Sequence, residues 1–136
     1  MKKLLLLIFG LYFACQLKAQ VNYTWNGTTS TAWNINTNWT PSGIPGSLDN
    51  VTIVTGANNC NLVGNTSVTN ITFTSGTFNL GGFVLSASGN AVFTSGTTNN
   101  GTISVNSSVT GVATLAGTTF NSNADLTITT GAVTIN

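Results

Sequence analysis

Asn70-Ile71-Thr72-Phe73-Thr74 runs into Ser75-Gly76-Thr77, and Thr74-Ser75-Gly76-Thr77 returns 20 residues later as Thr94-Ser95-Gly96-Thr97. Within the stretch, apolar Ile71 and Phe73 alternate with threonines. That period of two marks a strand with one buried face. Thr102-Ile103-Ser104-Val105 and Asp125-Leu126-Thr127-Ile128-Thr129 repeat the alternation, and no segment of helical period follows the N-terminal leader.

Working outward, Thr55-Gly56-Ala57 and Ala116-Gly117-Thr118 extend the series, so glycines fall at 56, 76, 96 and 117 in steps of 20, 20 and 21. Ahead of each glycine stands an apolar pair: Val51/Ile53, Ile71/Phe73, Ala91/Phe93 and Ala113/Leu115. After it stands another, in Phe83/Leu85, Ile103/Val105 and Leu126/Ile128. Asn59, Asn79 and Asn99 keep the same spacing, and Asn121 lies near the next place. A constant phase of about 20 residues is the sign of a solenoid, because one such unit cannot bury its apolar face alone. The sequence therefore predicts an all-β chain, a right-handed parallel β-helix of about four coils. The apolar pairs would form its core ladder, and Asn59, Asn79, Asn99 and Asn121 would stack as an amide ladder at a turn. Thr52/Thr72 and Thr74/Thr94 would point outward. A β-sandwich is the alternative, since alternation and turns also suit antiparallel sheets.

The leader has its own logic. Met1-Lys2-Lys3 precedes a 12-residue apolar run from Leu4 to Cys15, and Lys18-Ala19-Gln20 ends it on a small residue. This is the layout of a cleaved signal peptide, too short for a spanning helix of about 20 residues. The expected domains are a signal peptide over 1–19, a Trp/Pro-rich cap over 20–50 and repeats over 51–136. The expected location is outside the cell or on its outer surface, with no membrane insertion of the mature chain. Cleavage after Ala19 removes all three lysines, and the formal charge passes from +1 to −2, the two acids being Asp49 and Asp125. A chain without cations gains nothing from nucleic-acid phosphates. Cys60 is left without a partner cysteine in the mature chain or a basic residue to activate it, so it reads as a small buried apolar residue.

Residues 23–53 carry all three tryptophans, Trp25, Trp33 and Trp39, with Pro41, Pro45 and Asp49. A solenoid needs its first coil covered, and such a segment supplies large apolar area and indole N–H donors. Asp49 would accept backbone N–H bonds at the turn into Val51. The pattern W-N-G-x(5)-W-x(5)-W-x(5)-P-x(3)-D-x-V-x-I, here Trp25 to Ile53, resembles the opening of large secreted β-strand-repeat or autotransporter-adhesin-like surface proteins of Gram-negative bacteria. The resemblance implies attachment or surface display, no defined catalytic site and further β-helix coils C-terminally. It carries over no functional residues.

Function classes can then be weighed. The chain has no histidine, which excludes histidine acid–base chemistry. Asp49 and Asp125 stand 76 residues apart, too far for a paired-carboxylate site in a stacked coil. No catalytic residue, cofactor or metal is expected. The reading is a noncatalytic adhesin-like surface protein whose partners would be host or environmental glycans or surface proteins. The alternative is a carbohydrate-binding module in which Trp25, Trp33 and Trp39 stack on sugar rings. Outward Thr-x-Thr arrays such as Thr72-Phe73-Thr74 raise ice binding as well, but Val92 and Ala116 interrupt them.

Overall fold

The computed structural model describes residues 18–105 in full and, beyond them, the backbone of residue 106 and of strands 112–115, 118–120, 124–130 and 132–135. Residues 1–17, Asn121 and the side chains of Asp125, Leu126 and Ile128 lie outside the described residues. No helix among the described residues is long and apolar enough to cross a membrane.

The strands are β1 (Asn22–Trp25), β2 (Trp39–Thr40), β3 (Asn50–Ile53), β4 (Cys60–Asn61) and β5 (Thr66–Val68). They continue as β6 (Asn70–Phe73), β7 (Thr77–Asn79), β8 (Val84–Ala87), β9 (Ala91–Phe93) and β10 (Gly96–Asn99). The last are β11 (Gly101–Asn106), β12 (Val112–Leu115), β13 (Thr118–Phe120), β14 (Ala124–Thr130) and β15 (Ala132–Ile135). One 3-10 turn, Asn36–Asn38, precedes β2. The fold is all-β. The first sheet runs β15-β12-β9-β6-β3-β1-β2, the second β13-β10-β7-β4 and the third β14-β11-β8-β5. From β3 onward the chain visits the three sheets in strict rotation. The antiparallel pairing a sandwich needs is confined, among the described strands, to β1 and β2, and the other pairings are parallel.

Parallel strands in rotation bring equivalent positions face to face. Val51 lies opposite Ile71 and Ile53 opposite Phe73, and Ile71 and Phe73 then face Ala91 and Phe93. All six are buried. The backbone ties each repeat to the next, with Thr74 N–H donating to Ile53 O at 2.9 Å and Thr94 N–H to Phe73 O at 2.8 Å. Phe73 meets Phe78 at 6.2 Å and Phe93 edge-on at 6.4 Å. Each buried Phe contributes roughly 2–3 kcal/mol by removal of its ring from water. Glycine is required where the turns tighten: Gly76 and Gly96 hold φ of 91° and 106°, the region L side chains avoid.

Two expectations from constant spacing are corrected. Phe83 is not a core partner of Ile103. The pairing is Leu85 with Ile103 and Ala87 with Val105, an offset of 18. The preceding turn carries Gly81 and Gly82, both at positive φ, so Asn79 to Leu85 takes six steps where Asn99 to Ile103 takes four. The longer turn leaves Phe83 partly buried against the core edge. Asn59 is likewise outside the amide ladder. Asn61 occupies that register, opposite Asn79 and through it Asn99, because Ile53 to Cys60 takes seven steps and Phe73 to Phe78 takes five. The extra residues reach to the cap: Ala57 N–H donates to Asn26 O, and Asn58 O accepts from Trp25 Nε1.

Three substitutions follow from this packing. Phe73→Ala should cost about 3–5 kcal/mol in urea unfolding, and Phe83→Ala clearly less; equal losses would mean that the Gly81-Gly82 register is wrong. Thr98 fills the place of Phe78 in the next repeat and is fully buried, with no partner for Oγ1 among the described residues. Thr98→Val removes that unpaired hydroxyl at near-constant shape and should raise stability by about 1 kcal/mol. A lower unfolding midpoint would show that the hydroxyl has a partner in solution.

Candidate binding surface

The three tryptophans form one knot. Trp33 and Trp39 lie edge to face at 4.6 Å, Trp25 and Trp39 at 5.0 Å, and Tyr23 closes on Trp39 at 6.4 Å. Trp33 stacks on Phe78 at 6.1 Å, joining the knot to the repeats. Trp39 Nε1 donates to Trp33 O at 2.8 Å and Trp25 Nε1 to Asn58 O at 2.9 Å. None of the three is more than 2% exposed. Trp25, Trp33 and Trp39 are therefore no sugar-stacking platform: their ring faces are spent on one another, because the first repeat must be covered by something large and apolar.

Two polar side chains hold the irregular chain around this knot. Asn38, fully buried, accepts from Thr29 and Ser30 N–H at 2.9 and 3.0 Å. Its amide donates to Ala32 O at 2.8 Å. Asp49, also fully buried, accepts from Val21 N–H at 3.0 Å, Gly46 N–H at 2.8 Å and Lys18 Nζ at 3.1 Å. Burial alone would raise its pKa, but the Gly46 and Val21 amides and the Lys18 ammonium outweigh that and hold it below the ordinary 3.8. Asp49 thus pins the start of β1 and the loop before β3. Cys60 is buried, and burial pushes its thiol up, away from thiolate chemistry. No group of three metal-capable side chains occurs among the described residues.

Among the described residues, the first sheet turns to solvent neutral side chains that are polar except at Val92. Asn22, Asn50 and Asn70 lie in register. Asn50 Nδ2 donates to Asn22 Oδ1 and Asn70 Nδ2 to Asn50 Oδ1, both at 2.7 Å, and Asn90 N–H donates to Asn70 Oδ1. This amide row is separate from the Asn79/Asn99 register of the second sheet; its signal in the sequence is an asparagine just ahead of each apolar pair at 50, 70 and 90. Beside it runs Thr24, Thr52, Thr72 and then Val92. Thr24 is exposed and Thr52 and Thr72 half-exposed. The third sheet aligns Ser67, Ser86 and Ser104. Rows one strand spacing apart, about 4.8 Å, give these faces a regular pitch. No protein-family model, curated protein or solved structure matches the chain.

Asp49 sets an acid dependence. Its folded pKa lies below the unfolded value, so its stabilisation is complete at neutral pH. It fades as pH falls past the ordinary carboxylate value and is lost below the folded one. Asp49→Asn should lower the melting temperature at pH 7 and flatten its fall from about pH 5 downward. An unchanged acid fall in the variant would move it to Asp125, the other acidic side chain in the chain.

Proposed function

We propose that this chain is a right-handed parallel β-helix, the N-terminal part of a secreted, noncatalytic, adhesin-like surface protein that presents neutral Thr/Asn rows for attachment. The observation that carries the reading is the first sheet's outer face, where the Asn22–Asn50–Asn70 amide row and the Thr24–Thr52–Thr72 row repeat without a charge. Strict rotation through three sheets supports the helical winding. Parallel strands that return to one sheet do so right-handed almost without exception, which supports the hand.

Export is compatible with the contacts of Asp49. Lys18 lies on the leader side of the proposed cleavage point after Ala19, whereas Val21 and Gly46, whose amides hold Asp49, remain with the mature chain. The surface left behind carries no lysine, arginine or histidine. Attachment through it would rest on hydrogen bonds and close fit and would resist salt screening.

Cells or beads displaying the exported chain should adhere to a glycan- or protein-coated surface equally well at low and at high ionic strength. Thr52→Arg/Thr72→Arg, at half-exposed positions, should abolish adhesion while leaving the circular dichroism unchanged. Adhesion that vanished in salt, or that survived the double substitution, would remove this face from the reading.

A further inference from the structure

A groove of about 360 Å³ opens between the cap and the first repeat, where the loop around Ile44–Ser47 faces residues 63–67 at the start of β5. Its volume is of the size that small ligands occupy. Ile44 and Val63 are half exposed at 50% and 49% and form apolar walls with Pro45. Asn34 and Asn65 bring amides and Ser67 a hydroxyl, and among the described residues no charged side chain lines the groove. Asn65 Oδ1 is engaged by Val84 N–H, which leaves its amide N–H₂ to donate.

Trp33 also lines this groove, and it differs from the other two tryptophans. Trp25 and Trp39 both donate to backbone carbonyls, while Trp33 Nε1 is buried without a partner among the described residues. A buried unpaired donor is costly, and an acceptor that reaches it recovers that cost. An acceptor reaches it only if the rim gives way, and there Val63 is half exposed and a Cβ added at Gly64 would meet nothing within 4 Å.

We propose that this groove binds a neutral saccharide, with a hydroxyl or carbonyl oxygen of the sugar accepting from Trp33 Nε1 and the sugar ring lying against Ile44 and Val63. Lys18 Nζ lies beside Gly46 at the rim, but once cleavage after Ala19 has removed it, phosphate or carboxylate ligands find no counter-charge there, while a hydroxyl-rich ring finds amide donors, a serine hydroxyl and apolar walls. The ring faces of the tryptophans take no part. The site stands independently of the attachment reading, since it lies off the outer face of the first sheet.

The test is an indole N–H titration of the ¹⁵N-labelled exported chain with maltotriose, mannotriose and N-acetylchitotriose at millimolar concentration. The Trp33 signal is identified by its contact with the Phe78 ring. It should move saturably with at least one of these sugars while the Trp25 and Trp39 signals stay in place. Asn34→Ala, at an exposed position, should leave the spectrum folded and weaken binding roughly three- to tenfold, the worth of one hydrogen bond. An unmoved Trp33 signal with every neutral sugar would overturn the proposal. So would a larger response to a sialylated sugar or to an uncharged extended peptide. Failure of the unsubstituted exported chain to adhere, with sugar binding intact, would sink the attachment reading alone.

Discussion

A parallel strand has two open edges, and in this chain each must be covered by a segment some 20 residues away. The register that achieves this places Ile53 over Phe73 over Phe93 and Val51 over Ile71 over Ala91. Backbone ladder and apolar column are thus formed by one act of stacking, and neither is stable without the other. That is why charge could be dispensed with: the described residues hold a single ion pair, Lys18 with Asp49, at the entrance to the cap.

The first repeat meets this constraint from one side only, and the cap answers it with different chemistry. Sheet hydrogen bonds continue through β1 and turn back at β2. Aromatic bulk then replaces repetition, Trp33 resting on Phe78 and Trp39 on Trp33. An irregular segment buries backbone groups that no ladder can satisfy, so Asn38 and Asp49 are buried with it. The loop after β3 is lengthened by two residues to reach the cap, and Gly56 stands where an added Cβ would come within 2.6 Å of Asn26 O. Where cap and repeat fail to close completely, the groove beside Trp33 remains.

The strands and most of the core were legible in the sequence because alternation and a 20-residue phase are both local counts. The pairs at 51/53, 71/73 and 91/93 needed only that arithmetic. Phe83 and Asn59 were misplaced by the same arithmetic, since a count assumes equal turns. Gly81-Gly82 and the Thr55–Asn59 segment each add two residues outside the strands, and a turn can absorb them without disturbing the column beneath. The Gly-Gly pair was a visible sign of the first insertion. The second showed only in what the loop touches.

The sequence by itself determined that the chain is built of strands, which residues are candidates to face inward, and that residues 20–136 carry no cation to bind phosphate. Those follow from residue type and order alone. Only the tertiary structure decided the fate of Trp25, Trp33 and Trp39, because an indole suits a sugar face and an apolar knot equally well until its neighbours are known. It also decided which asparagines bond to one another. Amides at 50, 59, 70 and 79 are equivalent in composition, and the register of β1, β3 and β6 alone brings Asn22, Asn50 and Asn70 within hydrogen-bonding distance.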